Sequence, residues 1–285
     1  MINKDIQQAF NKAAKTYKNS AVICQATGER LLSRLDYMRC DPQVILDVGC
    51  GLGQYSMALA ERYPKAQVVA LDFAEKMIQE GQKLQTQPTH SWLIGNMTSL
   101  PFSAESVDMI FANQSIQDIE NLSQLFKEFH RILRPNGVLL FATLGPDSFK
   151  ELKAAWACVD TYGHINELKD LHILGDGLMS QQFMQPVMDK EEMSLHYREP
   201  QKLMNDLKEQ GSYNIHPLRR RGLMGIDALD YLFEHLEKQS KEAGKIALTY
   251  EVIYGHAWRG EKKSQYNAET GETFISLDKL RRSSI

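Results

Sequence analysis

The stretch "VILDVGCGLGQYS", residues 44–56, places Gly49, Gly51 and Gly53 at every second position behind an apolar run that carries Asp47. Glycines at a strand-to-helix turn admit positive φ and let main-chain N–H groups approach a ligand without an intervening Cβ. The chemistry on offer is therefore ligand binding by bare backbone, with carboxylates close by. A dinucleotide fingerprint asks for a small residue where this chain has Gln54. A phosphate-binding P-loop is excluded, because no Gly-Lys-Ser/Thr follows.

Such a turn needs strands and helices to hold it. From Val44 to Leu144 short apolar runs alternate with amphipathic ones. "QVILDVG", "QVVALD", "SWLIGN", "VDMIFAN" and "GVLLFATL" have the length and β-branched content of buried parallel strands. Between them, residues 54–63 and 122–133 carry apolar side chains at helical spacing, and "RPNG" at 134–137 predicts a stop and a turn into the next strand. Helical patterns recur at 148–159, 200–210 and 226–243, the last two reading as an insertion. "IALTYEVIYGHAW" alternates like a final strand with one solvated or edge face. The polar tail from Arg259 predicts a loosely held extension with one amphipathic segment, "FISLDKLRR".

With 285 residues, 43% of them hydrophobic, the chain can bury a core without staples. A net charge of −3 supplies no global positive field, which argues against nucleic acid as a partner. The four cysteines form no CxxC pair and no His/Cys grouping at zinc spacing, so neither a disulfide framework nor a metal site is expected. The first residues lack the apolar core of a secretory signal, and no run approaches the roughly 18 apolar residues of a membrane span. No membrane association and a cytoplasmic location are the expectations.

The spacing Asp47-x-Gly49-x-Gly51-x-Gly53 resembles motif I of the class I S-adenosylmethionine-dependent methyltransferases. That resemblance implies an α/β, Rossmann-like, mostly parallel seven-stranded sheet with helices on both faces, an N-terminal lid helix and a helical insertion before the last strand. It also implies a cofactor set. Asp72, ending the second strand, would accept hydrogen bonds from the ribose hydroxyls, with Phe73 beside it; Asn96 and Met97 would frame the adenine; Asn113, ending the fourth strand, would lie beside the sulfonium. Asn96 departs mildly from the aspartate that many members carry there. Taken alone, Asp72 could equally cap the following helix.

A second resemblance runs through the blocks that vary most among methyltransferases: "QAFNKAAKTYKNSAVIC", "TLGPDSFKELKAAWACVD", "LHILGDGL", "QPVMD", "LMNDLKEQGSYN", "RRRGLMG" and "TYEVIYGHAW". Together they are similar to the malonyl-acyl carrier protein O-methyltransferase family of biotin synthesis. The resemblance implies methyl transfer from S-adenosylmethionine to the free carboxylate of a malonyl thioester, with acyl carrier protein as partner. An ionised carboxylate needs no general base. It needs orientation, for which Tyr17 in the lid and Arg219, Arg220 and Arg221 in the insertion are candidates; the arginines could instead form a patch for the acidic carrier and its phosphopantetheine. His164, His172, His256 and Trp258 lie in family-like blocks, and His256, Trp258 and Cys50 are read as structural. The implied organisation is one domain over 1–258, with a lid at 1–40, a cofactor-binding core at 41–160, an insertion at 198–245 and an extension at 259–285. Competing readings are a respiratory complex I assembly factor of the same fold, a small-molecule or quinone-precursor methyltransferase, and a non-catalytic S-adenosylmethionine-binding scaffold.

Overall fold

The computed structural model describes residues 4–85, 89–222, 225–239, 244–260, 266–267 and 272–273. Five parallel strands, β1 (Val44–Val48), β2 (Gln67–Asp72), β3 (Ser91–Ile94), β4 (Val107–Asn113) and β5 (Leu133–Leu144), are extended by the long β7 (Ile246–Arg259), which runs antiparallel to β5, and by the long β6 (Phe183–Tyr197), which runs antiparallel to β7. The order across the sheet is β3-β2-β1-β4-β5-β7-β6. The reversal of winding between β1 and β4 opens a crevice at the carboxyl ends of the strands, where open α/β sheets bind ligands.

Strand alternation sends side chains into two cores. On one face Ile45, Phe111, Leu140 and Val252 pack together; on the other, Leu46, Ile110, Phe141 and Ile253 do. Helices α3 (Val22–Ser33), α4 (Gln54–Arg62), α7 (Lys150–Ala157), α9 (Pro200–Glu209) and α10 (Ile226–Lys238) cover the first face, and α6 (Leu122–Ile132) and α8 (Leu171–Ser180) the second. Helix α6 buries Leu122, Leu125, Phe126, Phe129 and Ile132 at three- and four-residue spacing, and Asn121 caps it by accepting from Gln124 N at 2.9 Å.

The structure departs from the sequence expectations in this half of the sheet. The "RPNG" segment is not a turn between helix and strand: β5 starts directly at Leu133, and residues 134–137 form a bulge. The bulge is held by positive φ at Asn136 and by Arg134 clamping Asp108 at 2.9 and 3.0 Å. Strand β7 has no solvated edge; it pairs on both sides and is buried along most of its length. The edge belongs to β6, which is illegible in the sequence because its charged residues alternate with half-buried ones and Pro186 lies in its own register shift, a feature tolerated at an edge. Helix α8 likewise carries no clear periodic signal; Asp170 caps it at Ile173 N, 2.8 Å.

Over the crevice, α1 (Lys4–Ala13) and the short α2 (Tyr17–Ser20) pack through Phe10, Ala13 and Ala14 against Leu52, Ala74 and Met77, the last two at the start of α5 (Glu75–Leu84). The amphipathic "FISLDKLRR" segment lies outside the described residues.

Candidate active site

Two cavities meet beneath α1 and α2. One, about 360 Å³, lies beside the glycine turn and is lined by Gly49, Gly51, Asp72, Phe73, Asn96 and Met97, with Ile6 above. The other, about 400 Å³, lies between α7, α9 and β7 and is walled by Leu144, Phe149, Leu152, Trp156, Met204 and Tyr250. Phe10, Tyr17, Gln114, Gln117 and Asp118 line both. The arrangement is a donor chamber and an acceptor chamber with a common wall.

The turn is built by backbone geometry. Gly49, Gly51 and Gly53 all have positive φ, at 72°, 55° and 77°. Their reasons differ. A Cβ on Gly49 would collide with Ser115 and one on Gly53 with the Trp92 ring, whereas one on Gly51 would meet only Tyr17, in ordinary van der Waals contact at 3.6 Å. Gly53 is thus the left-handed N-cap of α4 and packs against Trp92; it lines neither cavity. Asp47 also lies off the cavities: 2% exposed, it accepts from Ser56 Oγ at 2.6 Å and so locks β1 to α4. Burial pushes its pKa up to about 7, against the opposing Ser56 bond, and the Asp72 charge adds to the rise.

Asp72 faces the donor chamber from the end of β2. Its oxygens accept from Gly51 N at 2.9 Å and Ala74 N at 2.8 Å, so it braces the glycine turn and the entry to α5 together. Burial raises its pKa to about 6 despite these bonds. Each carboxylate oxygen retains a further lone pair for a hydroxyl donor. Asn96 turns its Oδ1 to Thr98 N and Oγ1, both at 3.0 Å, while Met97, 6% exposed, supplies an apolar surface beside it.

Asn113 itself lines neither chamber: it donates to Cys24 O at 2.8 Å and accepts from Thr27 Oγ1 at 3.0 Å, which fastens α3 to the sheet. The polar wall comes from the residues after it. Gln114, with φ of 46°, turns the chain out of β4, and Ser115 Oγ and Gln117 Oε1 are buried with no hydrogen-bond partner among the described residues. Orphaned acceptors at a chamber wall mark a surface shaped for a polar ligand. The signal for this loop was present as "NQSIQD", a polar cluster directly after a buried strand.

Tyr17 lies in the common wall, its hydroxyl 3.4 Å from Cys24 Sγ. Burial lifts its pKa well above the ordinary phenol value, so it stays a neutral donor. The three arginines separate: Arg219 pairs with Asp5 of α1 at 3.4 Å, Arg220 lines the acceptor chamber, and Arg221 is exposed and lines neither. His164 also reaches the acceptor wall, stacked on Trp156 at 3.6 Å and bonded to Asp160 at 2.7 Å. Cys50 is partly buried, and desolvation of its sulfur raises the thiol pKa, which suits a small filler and not a nucleophile.

A bare glycine turn, an acidic strand end and a roofed crevice at the sheet's switch point define a Rossmann-like methyltransferase. The methyltransferase domain family model matches residues 46–141. A putative methyltransferase from Bacillus halodurans superposes with a TM-score of 0.60 over 83% of this chain and 100% of its own, at 14% identity. Phosphoethanolamine N-methyltransferase 2 of Haemonchus contortus, solved with phosphomonomethylethanolamine and S-adenosylhomocysteine, gives 0.52 over 82% and 52%, at 17%. These likenesses establish the fold. The particular family follows from sequence: the malonyl-acyl-carrier-protein O-methyltransferase of Legionella pneumophila is 40% identical over 99% of both chains, and that of Coxiella burnetii 38% over 97% and 95%. The chain belongs to the malonyl-acyl-carrier-protein O-methyltransferase family.

Proposed function

We propose that this protein transfers the methyl group of S-adenosylmethionine to the free carboxylate of a malonyl thioester carried on acyl carrier protein. The ester masks a negative charge, so that fatty-acid elongation enzymes accept the chain as a pimeloyl precursor of biotin. The observation that carries the reading is the shared wall of Tyr17, Gln114, Gln117 and Asp118 between a polar donor chamber and a largely apolar acceptor chamber.

The donor chamber fits S-adenosylmethionine. Gly49 and Gly51 present main chain, Asp72 offers acceptors to vicinal hydroxyls, and Phe73, Asn96 and Met97 offer ring-packing and amide contacts to a purine. The unpartnered Ser115 Oγ and Gln117 Oε1 supply further polar contacts. Bound there, S-adenosylmethionine supplies an electrophilic methyl group on a sulfonium.

The chain's own contribution is orientation and dryness. A malonyl carboxylate is ionised at neutral pH and needs no general base. Tyr17, neutral and held in the wall, donates to one carboxylate oxygen and leaves the other to react. Tyr250, with a pKa raised by burial to about 12, is a second neutral donor in the acceptor chamber. Burial lifts the pKa of Asp118, which lessens its repulsion of an incoming carboxylate, and Asn166 fixes it at 3.0 Å. The same Asn166 accepts from Ile215 N at 2.8 Å and donates to Tyr213 O at 2.9 Å, which ties the insertion to the wall. Phe10, Leu144 and Trp156 exclude water.

A base-release assay tests the reading. Methyl-labelled S-adenosylmethionine and malonyl-acyl carrier protein should give label that mild alkali frees as volatile methanol. Label that stays on the carrier after alkali contradicts a carboxyl ester.

A further inference from the structure

The acceptor chamber is polarised by burial. Leu144, Leu152, Trp156 and Tyr250 are nearly inaccessible, whereas Lys208, Ser212, Tyr213, Arg220 and Gly222, all in the insertion, are exposed. The chamber therefore opens at the insertion. Lys208 and Arg220 are the fixed cations of its lining, and among the described residues neither enters an ion pair. Of the nearby charges, Arg219 is engaged with Asp5 and Asp206 with Lys202. The Arg220 guanidinium sits 5.8 Å from the ring of Tyr162, itself half exposed, and lends some of its field to Asp160, whose carboxylate is bonded to His164 and Tyr162 N.

Two unpaired cations at the open end of an apolar chamber select an anion that sits in solvent while the group attached to it passes inward. Neither cation lies in the wall shared with the donor chamber, where the methyl group must cross. They are consequently misplaced for the carboxylate. Resting on the function proposed above, we infer that Lys208 and Arg220 form a phosphate-binding rim for the 4′-phosphopantetheine arm of the methyl acceptor. The apolar wall takes the pantetheine, and the malonyl carboxylate reaches the uncharged donor Tyr17 in the common wall. A guanidinium holds two phosphate oxygens in a fork, and the ammonium adds a point charge.

The arm is common to acyl carrier protein and coenzyme A, and the test separates phosphate, arm and carrier. Full-length protein with S-adenosylmethionine is given malonyl-pantetheine, malonyl-4′-phosphopantetheine, malonyl-coenzyme A and malonyl-acyl carrier protein. The wild type should favour malonyl-4′-phosphopantetheine over malonyl-pantetheine by about tenfold in kcat/KM, as one charge-assisted contact at an exposed site supplies. Arg220→Ala and Lys208→Ala should each erase most of that preference by raising KM, with Arg220→Lys restoring part of it. The preference should also shrink with added salt. Equal rates on the two small acceptors overturn the rim alone. A loss that is as large on malonyl-pantetheine assigns the cations to the carboxylate instead, and a loss confined to malonyl-acyl carrier protein assigns them to the carrier's surface; either overturns the rim. No transfer to any malonyl acceptor by the wild type overturns the proposed function and the rim with it.

Discussion

Replacing Asp72 with asparagine separates the two tasks of the carboxylate. In the protein without ligand its oxygens accept from Gly51 N and Ala74 N, yet burial still holds its pKa near 6, above the ordinary 3.8. That rise of about two units corresponds to about 3 kcal/mol by which ionisation is disfavoured relative to water. The amide of Asp72→Asn keeps one acceptor oxygen and removes the charge, so the loss of one backbone bond is offset by relief of that penalty, and stability should change by about 1 kcal/mol or less. Ligand binding should respond far more. A hydroxyl donating to a buried carboxylate contributes about 1.5–3 kcal/mol, so Asp72→Asn should weaken S-adenosylmethionine by about 2 kcal/mol, roughly thirtyfold in Kd. The sign with pH follows from the ionised form being the better acceptor. Wild-type affinity should be flat above the pKa of about 6 and fall as pH drops below it, while Asp72→Asn is flat throughout. Isothermal calorimetry from pH 5 to 8 reads both. Equal affinity of wild type and variant would refute the assignment of Asp72 to the ribose.

Gly51→Val should abolish S-adenosylmethionine binding in the same calorimetric assay, because its Cβ enters the donor chamber near Tyr17 at a φ of 55°, and the strained backbone costs about 1–3 kcal/mol of stability; normal binding would place the ligand elsewhere. Asn113→Ala should destabilise the fold by about 1–3 kcal/mol in urea titration and raise amide exchange in α3, since it removes the two hydrogen bonds by which Asn113 ties Cys24 and Thr27 to the end of β4, with little change in S-adenosylmethionine affinity. A large affinity loss without destabilisation would restore the reading of Asn113 as a sulfonium contact. Asp47 has a folded pKa raised to about 7, so the folded state binds the extra proton between about pH 4 and 7 and loses stability as pH climbs through that window. Asp47→Asn should flatten that slope in unfolding free energies measured at pH 4.5 and 7.5, and an unchanged slope would show that the group titrates alike in both states.

Legibility in the sequence followed the physics of each element. Buried parallel strands are written as unbroken apolar runs, so β1, β2, β4 and β5 could be read directly, as could α6 with its helical spacing. Strand β6 could not, because an edge strand with a bulge at Pro186 shows polar residues on both faces. Within the glycine motif, spacing located the turn but not the separate reasons for its residues. Only Gly49 and Gly51 face the chamber, while Gly53 answers to Trp92, which arrives from β3, and Asp47 to Ser56, one turn into α4. Such contacts are set by tertiary packing and leave no local pattern. Asn113 shows the converse: its position at a strand end matched the family pattern, and its partners Cys24 and Thr27, nearly ninety residues earlier in the chain, claimed its side chain. The common wall of 114–118 was visible only as a polar cluster after an apolar strand.

The most direct test of the account is intact-mass spectrometry of malonyl-acyl carrier protein incubated with the protein and S-adenosylmethionine, with malonyl-coenzyme A and unloaded carrier alongside. The malonyl-loaded carrier should gain the mass of one methylene and the unloaded one none. An unchanged malonyl-carrier mass, from protein that calorimetry shows to bind S-adenosylmethionine, would contradict it.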